Sequence, residues 1–139
     1  MLEVTESVLH LGHDVRARLE LLGTSGIGLS IDDFGTGYSS LARVGELPVR
    51  ELKIDRSLLA GELRMLSAVL QFGTSPGLRV VMEGVESTRQ LAMVRRLGFV
   101  AAQGYLLASP MPGQAVAPWL DSPQAAPLPL ARMRLAPAT

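Results

Sequence analysis

The feature that most constrains the fold is a regular alternation of short apolar segments with helical patterns. Four segments have the length and composition of buried strands and a fifth is weaker; they are 2–5, 27–31, 51–54, 78–82 and 99–103. Helical patterns of apolar residues lie between them, at 14–23, 39–47, 62–73 and 87–98. Strands that alternate with helices predict βα units around a parallel sheet. We therefore expect an α/β fold with apolar strands covered on both faces.

The composition places the chain among ordinary globular domains. Hydrophobic residues make up 47% of the 139 residues, which is enough for one core-forming domain. Thirteen basic residues balance thirteen acidic ones, so we expect no nucleic-acid partner. The lack of cysteine excludes disulfides and thiol chemistry. No apolar run approaches the roughly 18 residues of a membrane span, and the N-terminal residues lack a signal-peptide pattern. A cytoplasmic protein without a membrane segment is expected.

The last part of the chain changes in composition. A short helical segment ends at Leu120, and residues 121–139 are rich in proline and alanine. Five of the nine prolines fall from Pro118 onward. Such a composition favours extended or disordered chain over packed structure. We expect one folded domain over residues 1–120 and a disordered tail over 121–139.

Polar side chains recur where the predicted strands end. They follow one another at intervals of 20 to 30 residues, about one βα unit, and they are Glu3, Asp32, Lys53, Glu83 and Gln103. Because parallel strands end at the same edge of a sheet or barrel, these side chains are expected to face one cavity. Oxygen ligands in this number suit Mg²⁺ or Mn²⁺ better than zinc. The adjacent carboxylates of Asp32 and Asp33 would then serve two metal ions, as in enzymes that cleave phosphate esters.

Simpler explanations are available for the individual residues. A single acidic residue after a strand is more often a helix cap, and Lys53, the one lysine of the chain, would be an ordinary ion-pair partner for Asp55 or Glu51. A Gly-Thr-Gly turn is weak evidence for phosphate binding. His10 and His13 have the spacing of a metal pair, but the chain offers no third histidine and no cysteine. These explanations do not account for five strand ends in register, each with a polar group suited to metal or phosphate.

Five motifs together resemble the EAL-domain family. They stand in the family's order and approximate spacing, as LEVTES (2–7), IDDFGTGYSSL (31–41), LKIDRS (52–57), VVMEGVES (80–87) and QGYLLASPMP (103–112). The resemblance implies hydrolysis of the bacterial second messenger cyclic di-GMP to linear pGpG by two-metal catalysis. It covers roughly residues 1–120 and corresponds to the C-terminal half of that domain. It therefore implies parallel βα repeats that form an incomplete, modified TIM barrel.

The resemblance also implies a role for each matched residue. The implied ligands of two Mg²⁺ or Mn²⁺ ions are Glu3, Asp32, Asp33, Glu83 and Gln103. The implied catalytic residues are Lys53, which would hold the attacking water, and Glu83, which would act as general base. Glu6 resembles the glutamate that supports the loop after Asp33. Glu86 resembles the residue that supports Glu83. The loop residues that resemble a substrate-contacting segment are Phe34, Gly35, Thr36, Gly37 and Tyr38, and the same loop, 34–40, implies a homodimer contact.

Two metal ligands of the family have no counterpart in this chain. One is the glutamate of a Glu-Ala-Leu motif and the other is an asparagine, and the chain contains neither that motif nor any asparagine. We therefore expect little or no phosphodiesterase activity from the 139 residues alone. The alternatives are a degenerate module that binds cyclic di-GMP or a protein partner without catalysis, and a truncated product without its own function. A sensory or GGDEF-type domain is the regulatory partner that the resemblance implies.

Overall fold

The computed structural model describes residues 1–37, 41–61, 63–73 and 76–122. The strands are β1 (Leu2–Thr5), β2 (Leu29–Phe34), β3 (Val49–Ile54), β4 (Arg79–Met82) and β5 (Ala101–Ala102). The helices are α1 (His13–Thr24), α2 (Leu41–Val44), α3 (Leu63–Phe72), α4 (Thr88–Leu97) and α5 (Gly113–Leu120). Two 3₁₀ helices, Glu6–His10 and Arg56–Ala60, directly follow β1 and β3. The apolar periodicity of the sequence predicts neither 3₁₀ helix.

The five strands form one sheet in the order β1-β2-β3-β4-β5. Every neighbouring pair is parallel, and helices connect successive strands. Strands that follow each other in both sequence and space are the arrangement of an α/β barrel. Here the sheet stays open, with β1 at one edge and β5 at the other. The predicted α/β class, with parallel βα repeats of an incomplete barrel, is confirmed.

The two faces of the sheet differ in chemistry. One face carries the core, in which Ile31, Leu52 and Met82 are fully buried and pack with apolar residues of α3 and α4. The other face carries Ser30, Glu51 and Lys53, because successive side chains of a strand point to opposite sides. The second face also carries the buried Val81, so the expectation of apolar strands is wrong at these three polar positions. Its polar groups lead to the candidate site.

The predicted helices are confirmed with small changes in their ends. Helix α4 begins at a capping box, in which Ser87 Oγ accepts from the Gln90 amide at 3.2 Å and Gln90 Oε1 accepts from the Ser87 amide at 2.9 Å. It ends at Gly98, whose φ of 93° is available to glycine at little cost. Helix α2 is shorter than the predicted 39–47, and residues 38–40 lie outside the described part of the chain.

The C-terminal part of the described chain is a single apolar helix. Helix α5 confirms the predicted helical segment before Leu120, yet none of its eight residues is buried. Residues 123–139 lie outside the described part, so the disordered tail stays a prediction. Among the described residues, no helix combines the length and the apolar character that a membrane crossing requires.

Candidate metal centre

The ammonium group of Lys53 lies at the centre of the carboxyl edge of the sheet. Its Nζ is 3.0 Å from Glu3 Oε1, 3.2 Å from Asp32 Oδ1 and 3.0 Å from Glu83 Oε1. The three carboxylates come from β1, from β2 and from the residue after β4, while Lys53 comes from β3. The lysine side chain is only 9% exposed. The strand-end residues that the sequence singled out therefore meet at one place.

The simpler ion pairs expected for Lys53 are not formed within the described residues. Glu51 instead accepts hydrogen bonds from Ser30 Oγ at 3.2 Å and from Arg79 Nε at 2.7 Å. Asp55 accepts from the amide of Ser57 at 2.8 Å and caps the second 3₁₀ helix. Both alternatives for Lys53 are wrong.

The cluster changes the proton affinity of two of its members. Burial alone would lower the pKa of Lys53, but hydrogen bonds to Glu3, Glu83 and Asp32 outweigh burial and raise it. Burial raises the pKa of Glu83, with a contribution from neighbouring Asp32, although Lys53 acts in the opposite direction. Lys53 is therefore firmly cationic, and Glu83 gives up its proton less readily than an exposed glutamate.

A β-bulge explains how two consecutive aspartates reach the same site. Ile31 pairs with Leu52 and Phe34 with Ile54, so β2 contains one more residue than β3 over this stretch. Asp33 has a φ of 55°, the only left-handed non-glycine residue in the described chain. Aspartate tolerates this conformation better than most residues. The extra residue keeps Ile31 and Phe34 in the core while Asp32 and Asp33 both face away from it.

The donors fit a divalent cation. One carboxylate oxygen from each of Asp32, Asp33 and Glu83 lies within 4.8 Å of the others. Carboxylate oxygens alone suit Mg²⁺, Mn²⁺ or Ca²⁺ and not a thiolate or imidazole metal. Glu3 contacts Lys53 and lies outside this group of three, and the side-chain amide of Gln103 donates to Glu83 Oε1. His10 and His13 belong to no metal-binding group among the described residues.

Glu6 holds the loop that follows the two aspartates. It is 5% exposed, and its Oε2 accepts from the amides of Gly35 at 2.9 Å and Gly37 at 3.2 Å. A Cβ at Gly37 would lie 2.9 Å from Glu6 Oε1, so a side chain at this position would displace the Glu6 carboxylate. Thr36 Oγ1 donates to the Asp33 carbonyl at 3.0 Å. This geometry accords with the supporting role predicted for Glu6, which stays a prediction.

Two of the predicted loop contacts are placed differently or lie outside the described residues. Phe34 is completely buried in the core, so its side chain is not available to a substrate. The physical reason is the bulge, which returns Phe34 to the apolar face of β2. Tyr38 falls in the segment 38–40 that the structure does not describe. Of the predicted loop contacts, Gly35, Thr36 and Gly37 remain beside the acidic cluster.

A cleft of about 530 Å³ adjoins the acidic cluster and was not predicted. Its lining includes Gln103, Tyr105 and an ion pair between Arg56 and Glu86. The Tyr105 side chain is 66% exposed. Glu86, predicted as the support of Glu83, therefore contacts Arg56 instead of an aspartate or lysine of the cluster. The sequence signal that could have indicated this cleft is the position of Arg56 and Tyr105, which follow the strand-end residues Lys53 and Gln103 by three and two positions.

The fold and the site define an α/β-barrel type of domain with a carboxylate cluster whose donors fit a divalent metal. The family model for the EAL domain matches residues 1–110. The chain belongs to the EAL-domain family.

Two curated relatives illustrate the similarity. The oxygen sensor protein DosP of Escherichia coli (strain K12) is 40% identical over 128 residues, which are 86% of this chain and 16% of DosP. The bifunctional diguanylate cyclase/cyclic di-GMP phosphodiesterase MucR of Pseudomonas aeruginosa is 43% identical over 121 residues, 82% of this chain and 18% of MucR. The chain thus spans less than a fifth of either relative.

Solved structures give the same assignment. The structure of the MucR phosphodiesterase with c-di-GMP matches with a TM-score of 0.72 and 44% identity, over 83% of this chain and 49% of that one. The Klebsiella pneumoniae BlrP1 complex with manganese and cyclic di-GMP matches with a TM-score of 0.67 and 30% identity, over 74% of this chain and 28% of that one. This chain corresponds to about half of the MucR structure.

Proposed function

We propose that this chain provides the metal-binding and catalytic half of a phosphodiesterase that hydrolyses cyclic di-GMP to linear pGpG. The observation that carries the proposal is the convergence of Asp32, Asp33 and Glu83 at the carboxyl edge of the sheet, where Asp32 and Glu83 also contact Lys53. A phosphodiester is an anion, and acidic side chains alone would repel it. Its hydrolysis at this edge therefore requires added cations between the carboxylates and the phosphate.

The proposed cofactor is a pair of Mg²⁺ or Mn²⁺ ions. Asp32, Asp33 and Glu83 would hold them, with Glu3 and Gln103 at the periphery of the same site. Bound ions would supply electrostatic stabilisation of the charge that develops on the phosphodiester. Support for divalent metal comes from the manganese complex of BlrP1 and from the all-oxygen donors of this chain. The choice between magnesium and manganese is part of the proposal.

The chain's own residues would divide the remaining work. The firmly cationic Lys53 would orient the attacking water, and Glu83 would accept its proton. Gln103 would fix the Glu83 carboxylate through its side-chain amide. Glu6 would hold Gly35 and Gly37 at a fixed distance from the two aspartates.

The cleft beside Gln103 is the proposed location of a nucleoside part of the substrate. It opens directly next to the acidic cluster, so a dinucleotide with its phosphate at the carboxylates would extend into it. Tyr105 offers an exposed aromatic ring for stacking, and Arg56 offers hydrogen-bond donors at the rim. Glu86 would keep the guanidinium of Arg56 in place through their ion pair.

The matched region is too small to carry the whole activity in this proposal. The family's Glu-Ala-Leu glutamate and its asparagine ligand are absent from these residues. We therefore expect metal binding with little or no hydrolysis by the chain alone. The second candidate, a module that binds cyclic di-GMP without catalysis, is favoured by the same absence. A cytoplasmic location and a homodimer contact through 34–40 are also part of the proposal. A linked sensory or GGDEF-type domain completes it, supported by the sensor and cyclase names of the relatives.

Calorimetry and chromatography test this proposal on the purified chain. We expect Mn²⁺ to bind to the chain and Asp32→Asn to weaken that binding strongly. Asp121→Asn removes an exposed carboxylate beyond α5 and is the matched control. Chromatography of cyclic di-GMP after incubation with Mg²⁺ or Mn²⁺ should reveal little pGpG. Rapid hydrolysis would contradict the expectation that this chain alone lacks a complete catalytic site. Equal Mn²⁺ affinity of both variants would contradict the metal centre.

If Mn²⁺ binds without hydrolysis, a titration with cyclic di-GMP separates the two candidate functions. One experiment measures binding of cyclic di-GMP in the presence of Ca²⁺, and a second measures turnover after the N-terminal half of an EAL domain is added. Binding without turnover would favour the non-catalytic module. Turnover that appears only with that half would support the phosphodiesterase.

A further inference from the structure

Two glycines close to the candidate metal centre lie against the same short element. Gly35 comes two residues after Asp33, and Gly84 directly follows Glu83. Their φ angles are 106° and 63°, values that glycine adopts at little cost. Both are in close contact with side chains of the second 3₁₀ helix, Arg56–Ala60. The backbone beside two candidate ligands therefore rests on one helix that carries none of the three.

Leu58 of this helix fills the space beside Gly35. The Leu58 side chain is 5% exposed, and a Cβ at Gly35 would lie 2.7 Å from Leu58 Cγ. A leucine this close leaves no gap beside the glycine backbone. The amide of Gly35 also donates to Glu6 Oε2 at 2.9 Å. The loop after the two aspartates is therefore held both by a buried carboxylate and by a buried leucine.

The stem of Arg56 lies against Gly84 in a similar way. A Cβ at Gly84 would lie 2.8 Å from Arg56 Cδ and 3.2 Å from Arg56 Cγ. The guanidinium group beyond this stem forms the ion pair with Glu86. Arginine commonly packs its aliphatic carbons on protein while its charged end makes polar contacts. The contact with Gly84 thus depends on the carbon atoms of Arg56 and not on its charge.

Backbone hydrogen bonds fix the start of the helix between the two loops. The amide of Asp55 donates to the Phe34 carbonyl at 3.1 Å, and the amide of Glu83 donates to the Ile54 carbonyl at 2.9 Å. The segment after β3 is thereby attached to the ends of β2 and β4. Asp55 then caps the helix by accepting from the Ser57 amide. The helix consequently begins at a defined position relative to both ligand-bearing loops.

We propose that the second 3₁₀ helix positions the metal centre through Leu58 and the aliphatic stem of Arg56. These side chains set the separation of the Asp33 and Glu83 carboxylates, which each place one oxygen within 4.8 Å of the other. Carbon atoms ligate no metal, so both residues act through the loop backbone. A metal centre binds tightly when its ligands are held in place before the ion arrives. The inference rests on the proposed metal-binding function.

Calorimetry with Mn²⁺ on the full chain separates positioning from ordinary core packing. Leu58→Ala should bind Mn²⁺ about tenfold more weakly than the wild-type chain, because residues that only support a metal ligand affect affinity by about 10- to 100-fold. Leu58→Met, which nearly conserves volume, should restore the affinity. Leu19→Ala is the matched control, because Leu19 is 6% exposed on α1, an element without a candidate ligand. It should leave Mn²⁺ affinity unchanged, with folding of each variant checked by circular dichroism.

Two further readouts distinguish positioning from a loss of stability. The electron paramagnetic resonance spectrum of bound Mn²⁺ should change in Leu58→Ala and match the wild-type spectrum in Leu19→Ala. Without metal, hydrogen exchange at the amides of Gly35 and Gly37, both bonded to Glu6, should be faster in Leu58→Ala than in Leu19→Ala. Equal spectra and equal exchange in the two alanine variants would overturn the role of Leu58.

Arg56→Ala and Arg56→Met separate the stem of the arginine from its charge. Both variants remove the guanidinium group and its ion pair with Glu86. Only methionine keeps atoms at the γ and δ positions that lie against Gly84. We expect Arg56→Ala to bind Mn²⁺ about tenfold more weakly than Arg56→Met. Equal affinity of these two variants would overturn the role of the stem.

The wild-type titration distinguishes failure of this proposal from failure of the proposed function. If the wild-type chain binds no Mn²⁺, the proposed metal centre is wrong and the positioning role is overturned with it. If the wild-type chain binds Mn²⁺ and Leu58→Ala loses no more affinity than Leu19→Ala, the metal centre stands and the positioning role alone is wrong.

Discussion

Two polar clusters lie on the same face of the same strands, and they differ in their balance of charge. The first, called the lower cluster because it lies further from the carboxyl edge of the sheet, consists of Ser30, Glu51 and Arg79. These residues are direct neighbours in register on β2, β3 and β4. Glu51 is 5% exposed and has one cationic partner, Arg79, together with the Ser30 hydroxyl. The upper cluster is centred on Lys53, two residues further along β3.

The difference separates a charge-balanced structural contact from the cluster that we propose to bind metal. The lower cluster pairs one carboxylate with one guanidinium, so its charge is balanced within the protein. In the upper cluster, Lys53 is the one cation that Glu3, Asp32 and Glu83 share among the residues that the structure describes, and Asp33 lies beside them. Buried or crowded charges need compensation. An excess of carboxylate that the protein does not neutralise is a place for an added cation.

The largest expected effect is a difference in Mn²⁺ affinity between a variant of the upper cluster and a variant of the lower cluster. Asp33→Asn should weaken Mn²⁺ binding by at least about 100-fold, since even residues that only support a metal ligand affect affinity by 10- to 100-fold. Glu51→Gln should change Mn²⁺ affinity less than about threefold, because Glu51 is already paired with Arg79. Calorimetric titration of both folded variants measures this. Similar losses in the two variants would remove the distinction between the clusters.

The second prediction compares the cations of the two clusters. Lys53→Met leaves three carboxylates without their shared partner and should lower the free energy of unfolding by about 2 kcal/mol, less than a fully buried pair because Glu3 is 52% exposed. Arg79→Met should cost less, about 1 kcal/mol, because 61% of the Arg79 side chain is exposed, although it leaves the buried Glu51 with only the Ser30 hydroxyl among the contacts described above. Urea unfolding at neutral pH provides the comparison. A larger loss for Arg79→Met would reverse the interpretation.

The third prediction concerns the backbone that supports the upper cluster. Asp33→Gly should raise the free energy of unfolding by about 1 kcal/mol, because a left-handed non-glycine residue costs energy that glycine avoids. The φ of 55° at Asp33 is the basis of this expectation. The same variant should lose Mn²⁺ binding, so stability and metal affinity change in opposite directions. Thermal unfolding without metal checks the first part, and a stability loss would contradict the assigned strain.

The smallest effect concerns an acid that belongs to neither cluster. Partial burial works against it, but hydrogen bonds from Ser57 hold the pKa of Asp55 below its usual range. A pKa that is lower in the folded chain gives stability that is present above the unfolded pKa and is lost as the pH falls through the folded one. Asp55→Ala should therefore cost about 0.5 kcal/mol at neutral pH and nothing in strong acid. Urea unfolding across this pH range is the measurement, and a pH-independent difference would contradict the capping role.

The order of the elements and the residues that meet at the sheet edge follow from the sequence. Strand and helix patterns are local, and equal spacing of polar residues in βα units translates directly into a shared edge. For this reason the spacing of Asp32, Lys53 and Glu83 along the chain is enough to predict that they meet. Helix ends are likewise predictable where capping residues are present, as at Ser87 and Gly98.

The remaining features depend on interactions that no local pattern contains. The bulge at Asp33 is defined by the pairing of β2 with β3, and the buried face of Phe34 follows from it. The pairing of Glu51 with Arg79 joins residues 28 positions apart. Helix α5 is exposed because no described part of the chain packs against it closely enough to bury any of its residues. Such features require the assembled sheet.

The single extra residue in β2 has a consequence for how this site can be lost. Substituting Asp33 removes a carboxylate but keeps the irregular strand, whereas deleting Asp33 would remove the bulge and leave Phe34 opposite Ile54 in a regular strand. One three-base deletion in the gene would thus turn the strand end into ordinary sheet, with its core side intact and one carboxylate fewer. The site is therefore more fragile toward deletions than the fold that carries it.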